Sequence, residues 1–152
     1  MDTVREPAAD FLHEIERETT LQLSNRKVRD PRFRAAVLNA YGKRCAITGW
    51  SFTNGGGRAE VEAAHIRPVQ FGGPDRICNG LALSGTVHWM FDRGLIGISP
   101  NDDFIISRKV NDPESITRLL NPTGKLVRPD SPQHQPHPAF LEWHRNHHQL
   151  AA

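Results

Sequence analysis

Apolar residues recur along this chain at spacings that predict short helices and short strands. In residues 31–42, PRFRAAVLNAYG, four apolar side chains fall on one helical face, and Gly42 is a natural helix stop. Those four side chains are Phe33, Val37, Leu38 and Tyr41. In residues 59–66, AEVEAAHI, the two faces of an extended chain alternate as in a strand. The pattern predicts an α+β fold.

A ββα unit is predicted at the centre of the chain. Pro68 ends the strand over residues 59–66, and a loop rich in glycine and proline follows it. A second short strand, LALS, occupies residues 81–84, and residues 85–93 form a short helix. Strand, loop, strand and helix in this order make one compact unit.

The flanking segments complete the predicted fold. A β-hairpin turns at residues 100–103, and helices are expected over residues 6–24, 113–120 and 139–150. Residues 44–50, RCAITGW, predict a short strand or a knuckle. The central unit is therefore flanked by helices and a small hairpin.

Length and composition limit the class of protein. The chain has 152 residues, of which 38% are hydrophobic, which is enough for one domain. We expect residues 1–28 to be a helical arm or linker and residues 29–152 to be the globular domain. No apolar run is long enough to cross a membrane, and the first residues do not resemble a secretion signal. Two cysteines without CxxC spacing predict a cytoplasmic protein with reduced thiols.

A net charge of +2 is too small to indicate nucleic-acid binding by itself. Residues 25–34, NRKVRDPRFR, hold five basic side chains and a single acid, Asp30. The basic residues are Arg26, Lys27, Arg29, Arg32 and Arg34. Such a cluster could neutralise several phosphates. A solvated linker and helix start would have the same composition.

The central unit also carries a plausible hydrolytic site. His88 and Asp92 are four residues apart on the predicted helix, so both project from one face. A nitrogen and a carboxylate oxygen suit a divalent metal, and so few protein ligands leave positions open for water and substrate. His65 at the strand end is a natural general base near neutral pH. Each of these residues also has a purely structural interpretation when taken singly. His65 could be a hydrogen-bonded structural histidine, and His88 with Asp92 a surface hydrogen bond. Asn79, a third candidate in the unit, precedes Gly80 and could simply form a turn.

The blocks AAHIRP, NGLALS and HWMFDRG, in this order and spacing, resemble the HNH endonucleases, which are ββα-metal nucleases. FRAAVLNAYGKRCAITG and FLEWHR resemble the subgroup found at the C-termini of predicted restriction endonucleases, and the similarity spans about residues 29–146. It implies a ββα-metal core and hydrolysis of double-stranded DNA, in restriction or defence against foreign DNA. One divalent ion is implied, Mg²⁺ or Mn²⁺, with Ni²⁺ and Zn²⁺ as alternatives.

The resemblance also implies roles for individual residues. His65, in its His-x-x-Pro context, corresponds to the general base that activates water. Asn79 corresponds to the residue that braces the loop between the strands. His88 corresponds to the metal ligand on the helix, and Asp92 to a further helical ligand.

One position departs from the family pattern. Many members carry Asp or His immediately before the base as a metal ligand, whereas this chain has Ala64. The ion would then depend on His88 and Asp92 with waters, or on Glu62 reaching it directly or through water. Ala64 therefore also leaves open a catalytically impaired HNH-fold DNA-binding protein. A separate alternative is a small metal-binding interaction module with no nucleic-acid substrate. Cleavage of both strands would indicate a homodimer or two separate nicks.

Three histidines near the C-terminus have metal-compatible spacing, HxxHH. They are His144, His147 and His148. We interpret them as a solvated helix face rather than a second metal site, with Leu141 and Trp143 as packing residues. Cys45 and Cys78 are expected to be small core residues.

Overall fold

The computed structural model describes residues 31–151, so the predicted arm and its helix lie outside the described residues. The helices are α1 (Pro31–Ala40), α2 (Gly85–Asp92), α3 (Pro113–Leu119) and α4 (Pro138–His147). The strands are β1 (Glu62–His65), β2 (Gly80–Leu83), β3 (Ile96–Ile98) and β4 (Phe104–Ile106). Short 3₁₀ turns span Val69–Phe71, Ile77–Asn79 and Pro132–His134. Helices beside two small antiparallel sheets confirm the predicted α+β class.

Helix α1 forms where the sequence predicts it and buries the predicted face. Phe33, Val37 and Leu38 point into the core. The chain leaves the helix through Gly42 and Lys43, with φ of 61° and 57°. These left-handed values explain a glycine at the helix end.

Strands β1 and β2 form an antiparallel hairpin, in which Ala64 pairs with Leu81 and His65 with Gly80. β1 is shorter than the strand predicted over residues 59–66, because β2 offers only four residues before Ser84 starts the turn into α2. A glycine is required at position 80. A Cβ there would lie 2.6 Å from Cγ2 of Val37 on α1.

Residues 44–50 form turns rather than a strand. The backbone N–H of Cys45 donates to the carbonyl of Trp50 over 2.8 Å, which closes the segment as a knuckle. Ala46 donates to the carbonyl of Ala82 over 2.8 Å and so joins the knuckle to β2. Cys45 is fully buried, as expected for a core residue, and Cys78 is half-buried.

The second sheet is the predicted hairpin of β3 and β4. Its turn contains Asp102 at a φ of 67°, and the N–H of Ser99 donates to the carbonyl of Asp103 over 2.8 Å. Helix α4 packs against β3, where the Arg145 guanidinium donates to the carbonyl of Ile98 over 2.9 Å. The C-terminal helix thus supports the sheet that follows α2.

The hydrophobic core joins α1, the β1–β2 hairpin, α2 and β3. Its fully buried large apolar side chains are Val37, Ile47, Val61, Ile66, Leu81, Leu83, Val87, Phe91, Ile96 and Ile98. No helix within residues 31–151 has the length and apolar character needed to span a membrane.

Candidate active site

His65 lies at the end of β1 with a defined partner on its face and another on its edge. Its ring stacks on Phe33 of α1 with centroids 4.2 Å apart and planes 9° apart. Its Nε2 lies 2.7 Å from Oδ1 of Asp75, and the two side chains are only 11% and 13% exposed. The ring is therefore held in one orientation at the surface of the core.

Asn79 is fully buried and satisfies three backbone groups of the β1–β2 loop (residues 66–79). Its Oδ1 accepts from the N–H of Arg67 over 2.9 Å. Its Nδ2 donates to the carbonyls of Arg67 and Pro74, each over 3.0 Å. A Cβ at Gly73 would lie 1.7 Å from the Arg67 carbonyl oxygen, so only glycine permits this loop path. Asn79 therefore joins Arg67 and Pro74, two separate points of the β1–β2 loop.

The β1–β2 loop is also anchored on α4. Phe71 packs on Trp143 with ring centroids 5.3 Å apart. Arg67 donates from Nε to the Phe71 carbonyl over 2.6 Å, and its guanidinium lies 5.6 Å from the centre of the Trp143 ring. Trp143 therefore packs, as predicted, and it does so against the loop that follows His65.

His88 on α2 lies between two carboxylates. Its Nδ1 is 2.5 Å from Oε1 of Glu62, and its Nε2 is 3.1 Å from Oδ2 of Asp92. The hydrogen bond to Asp92 has the largest effect on the pKa of His88 and raises it. Burial lowers this pKa and the hydrogen bond to Glu62 raises it, so that it is about 9. The ring is therefore protonated at neutral pH and donates to both carboxylates.

The donor set suits a divalent cation, but its members do not converge on one point. Glu62 and Asp92 face opposite nitrogens of His88, and Ala64 is fully buried and has no donor atom. Accordingly, no group of three or more His, Cys, Asp or Glu side chains in the described part of the chain is arranged to hold a metal ion. A cation at Nε2 with Asp92 would replace the proton there, leaving Glu62 to accept from Nδ1–H.

Glu60, which the sequence interpretation did not single out, ties the start of α2 to the chain before β1. Its carboxylate accepts from the hydroxyl of Ser84 over 2.8 Å and from the N–H of Gly85 over 2.9 Å. A carboxylate at a helix N-terminus also interacts favourably with the helix dipole. Glu60 therefore helps to fix the helix that carries His88.

Asp75 and the stacking ring of Phe33 were also missed. Phe33 was recognised as a core residue of α1, but not as the partner of His65. Asp75 lies in a loop segment, GGPDR, that predicts a turn and nothing more. The sequence did offer one signal, because Asp75 is the one acidic residue between His65 and Asn79 and is therefore a candidate partner for the histidine.

The interpretation of the C-terminal histidines as solvated is wrong for His144. This side chain is 2% exposed and stacks on Phe91 with centroids 3.8 Å apart and planes 5° apart. Its Nε2 donates to the Phe91 carbonyl over 2.8 Å. Burial lowers the pKa of His144 to about 4 despite that hydrogen bond, so the ring is neutral. His147 is exposed, as expected.

The basic cluster falls only partly within the described residues. Arg26, Lys27 and Arg29 lie outside them. Arg32 is exposed and Arg34 half-buried in the first turn of α1. They flank Phe33, whose ring covers His65. The described part of the cluster is thus on the helix that contacts His65.

Comparisons with known proteins agree with this architecture. Residues 45–99 match a family model described as HNH endonuclease. One similar solved structure is titled "Modification dependent TagI restriction endonuclease", with a TM-score of 0.60 and 24% sequence identity. The match covers 79% of this chain and 38% of that one, so this chain spans well under half of that protein. At this identity the structural similarity shows a shared fold. A search of curated proteins found no match.

Proposed function

We propose, from the premise that this chain carries an HNH endonuclease domain, that it is a metal-dependent DNA endonuclease acting in restriction or in defence against foreign DNA. One observation carries the proposal most strongly. The ββα unit holds His65, buried Asn79 and the His88–Asp92 pair on successive elements, with an oriented imidazole at the end of β1. Hydrolysis of a phosphodiester needs a base for water and a positive charge that stabilises the phosphoryl oxygens. His65 is the candidate for the base, and a metal ion held by His88 and Asp92 is the candidate for the positive charge.

His65 acts as the general base. It removes a proton from water, whose oxygen then bonds to phosphorus while the bond to the 3′ oxygen breaks. Its ring is suited to this role because Phe33 and Asp75 restrict its orientation. A positioned base contributes about 10²- to 10⁴-fold to the rate.

Asn79 supports the base indirectly. It closes the β1–β2 loop through Arg67 and Pro74, and Pro74 is followed directly by Asp75. Asn79 thereby fixes the segment that contacts His65. Its side-chain amide hydrogen-bonds to backbone groups of Arg67 and Pro74, which suits a brace and not a proton carrier.

His88 and Asp92 would hold the divalent ion, and Glu62 would orient His88 or bind the ion through a small side-chain movement. Bound there, Mg²⁺ or Mn²⁺, or alternatively Ni²⁺ or Zn²⁺, would stabilise negative charge on the phosphoryl and leaving oxygens. The two carboxylates also balance the charge of the cation. The buried Ala64 offers no ligand, so water would fill the remaining positions.

Double-stranded DNA is the proposed substrate, and the basic cluster would contact its backbone. Replacing Arg32 and Arg34 by Gln should weaken DNA binding for all sequences alike. Each phosphate contact releases about one counterion on binding, so the loss of these contacts should lower the slope of log Kd against log salt concentration by about 1 to 2. Fluorescence anisotropy at several salt concentrations measures the slope. The matched control is Arg118→Gln on α3, an exposed arginine paired with Glu114. An unchanged slope in the double variant would remove these two residues from the interface.

A second candidate function has an observation in its favour. With Ala64 buried and no preassembled three-ligand site among residues 31–151, the chain could bind DNA without cutting it. Supercoiled plasmid separates the possibilities. Wild type and His65→Ala are incubated with each of the four metals or with EDTA, and nicking and gel retardation are scored together.

Metal-dependent nicking by wild type, with His65→Ala inactive but still folded and binding metal, would support the endonuclease. Retardation without nicking would support the DNA-binding protein. Metal binding with neither effect would leave a metal-binding interaction module. Equal nicking by His65→Ala would refute the assignment of the base.

A further inference from the structure

We infer that Asp75 is a positioning residue that selects which nitrogen of His65 accepts the proton from water. The inference rests on the proposed role of His65 as the general base. It assigns Nδ1 as the basic atom and gives the β1–β2 loop a direct part in the reaction.

The hydrogen bond between the two side chains determines the tautomer. Nε2 of His65 lies 2.7 Å from Oδ1 of Asp75. An ionised carboxylate can only accept, so Nε2 carries the hydrogen. A neutral imidazole holds one hydrogen, and the lone pair must then be on Nδ1. Only Nδ1 can take a proton while this contact lasts.

The surroundings make the contact a defined one. Phe33 covers one face of the imidazole at 4.2 Å, which restricts tilting of the ring. Asp75 follows Pro74, whose carbonyl accepts from Nδ2 of the buried Asn79 over 3.0 Å. Both side chains of the pair are nearly buried, at 11% and 13% exposure, so water competes weakly for the hydrogen bond. The face and the edge of the ring are therefore both constrained.

The proton balance follows from this arrangement. Water gives its proton to Nδ1, and its oxygen bonds to phosphorus as the 3′ oxygen departs. His65 becomes an imidazolium with hydrogens on both nitrogens, and Asp75 continues to accept from Nε2–H. The carboxylate offsets the new positive charge without taking a proton itself, and Nδ1 later returns its proton to solvent.

The alternative is a purely structural pair that ties the loop to β1. In that case, replacing Asp75 would lower stability but would not change the turnover of the folded protein or the tautomer of His65. Asp75→Asn is the sharper variant, because it keeps the side-chain volume but can present an amide N–H to Nε2 and thus favour the opposite tautomer. Asp75→Ala removes the partner altogether.

The experiment compares both variants with Asp103→Asn, a control at the β3–β4 turn. Asp103 also has a charged partner at 2.7 Å, Lys125, but in an exposed pair at the turn of the other hairpin. Plasmid nicking at saturating metal gives kcat and KM, and circular dichroism gives the folded fraction. Nitrogen-15 NMR of the imidazoles reports the tautomer, with His65→Gln used to assign the signal.

We expect the wild type to show the Nε2–H tautomer of His65. Asp75→Asn and Asp75→Ala should lower kcat by at least about tenfold and by no more than the about 10⁴-fold that a general base contributes. KM should stay within about twofold, because the phosphate contacts are unchanged. The control should match wild type in all measurements.

Two results would overturn the inference. One is an Nδ1–H tautomer in the wild type, and the other is a kcat equal to wild type in both Asp75 variants. If wild type cuts no DNA with any metal, the proposed function fails, but the NMR comparison still decides whether Asp75 controls the tautomer. The failures of the two proposals are therefore distinguishable.

Discussion

Two histidines in this protein have nearly the same local geometry but different surroundings. His65 stacks on Phe33, and His144 stacks on Phe91, with planes 9° and 5° apart. In each, Nε2 lies within 2.8 Å of an oxygen. The oxygen beside His65 belongs to the carboxylate of Asp75, whereas the oxygen beside His144 is a backbone carbonyl. Stacking and hydrogen bonding alone therefore do not distinguish a candidate base from a packing residue.

Exposure and charge make the distinction. His144 is 2% exposed, and burial keeps its ring neutral by lowering its pKa to about 4. The His65 side chain is 11% exposed and has a carboxylate beside it that can offset a positive charge on the ring. An imidazole that must gain a proton during a reaction needs both features. On this comparison, His65 is suited to chemistry and His144 to holding α4 against α2.

The largest expected effect separates the two histidines by activity. His65→Ala should lower the nicking rate by about 10²- to 10⁴-fold, the contribution of a general base. His144→Ala should retain a rate near wild type once it is divided by the folded fraction. Plasmid nicking at saturating metal, with circular dichroism for the folded fraction, measures both. If folded His144→Ala lost as much nicking rate as His65→Ala, exposure and charge would not distinguish a catalytic histidine from a packing one.

The next expected effect concerns Asn79, which acts on the surroundings of His65 and not on those of His144. Asn79→Ala leaves the N–H and carbonyl of Arg67 and the carbonyl of Pro74 without their buried partner. Nicking should fall by about 10- to 100-fold, the loss that follows when a group that orients a site residue is removed. Unfolding should become easier by about 1 to 3 kcal/mol.

Urea unfolding and nicking rates are measured on the same samples of Asn79→Ala. The control is Asn121→Ala, since Asn121 is another buried amide that satisfies backbone carbonyls, those of Ile47 and Lys125, in a different loop. It should lose stability but keep its rate per folded molecule. Equal activity losses in both variants would show that Asn79 has no special link to His65.

The features that the sequence predicted well are those governed by periodicity. The apolar face of α1 and the β3–β4 hairpin follow from side-chain spacing, since a helix or strand repeats over short distances. The blocks that resemble the HNH endonucleases were also identifiable, because their order and spacing can be read directly from the chain. Strand length was less predictable. The number of residues that β1 can pair is set by the length of its partner β2, and the sequence of β1 does not contain that information.

The features that were missed depend on contacts between distant segments. Asp75 reaches His65 only because the β1–β2 loop folds back on Asn79. His144 is buried only because Phe91, 53 residues earlier, offers a ring and a carbonyl. The HxxHH spacing gives no sign that Phe91 packs on His144. Its polar residues favour a solvent-exposed helix face instead. Tertiary contacts of this kind require the folded chain.

A further effect is expected on the stability side of the comparison, where activity per folded molecule does not change. His144→Ala removes a buried ring stacked at 3.8 Å and the N–H that binds the Phe91 carbonyl. Unfolding should become easier by about 2 to 5 kcal/mol, the range for large-to-small changes in a core. His147→Ala, an exposed neighbour on the same helix, should change it by less than about 1 kcal/mol. Urea unfolding at pH 7.5 measures both, and similar values would contradict a packing role for His144.

The smallest expected effect is a pH dependence of stability. Because the pKa of His144 falls from 6.5 to about 4 on folding, the unfolded chain binds more protons between these values. Its contribution is complete above pH 6.5 and declines as the pH falls towards 4, by about 2 kcal/mol between pH 7.5 and 5. His144→Gln keeps an N–H donor but does not titrate, so its loss over this range should be smaller by about that amount.

Unfolding free energies of wild type and His144→Gln at pH 7.5 and 5 test this difference, and parallel pH curves would contradict it. The result also bears on His65. A fall in nicking rate below pH 6.5 has two sources to separate, the loss of stability that comes from His144 and the protonation of a catalytic base. Only a fall that persists in His144→Gln, after division by the folded fraction, belongs to the active site. The packing histidine must therefore be removed from the pH profile before the profile can identify the base.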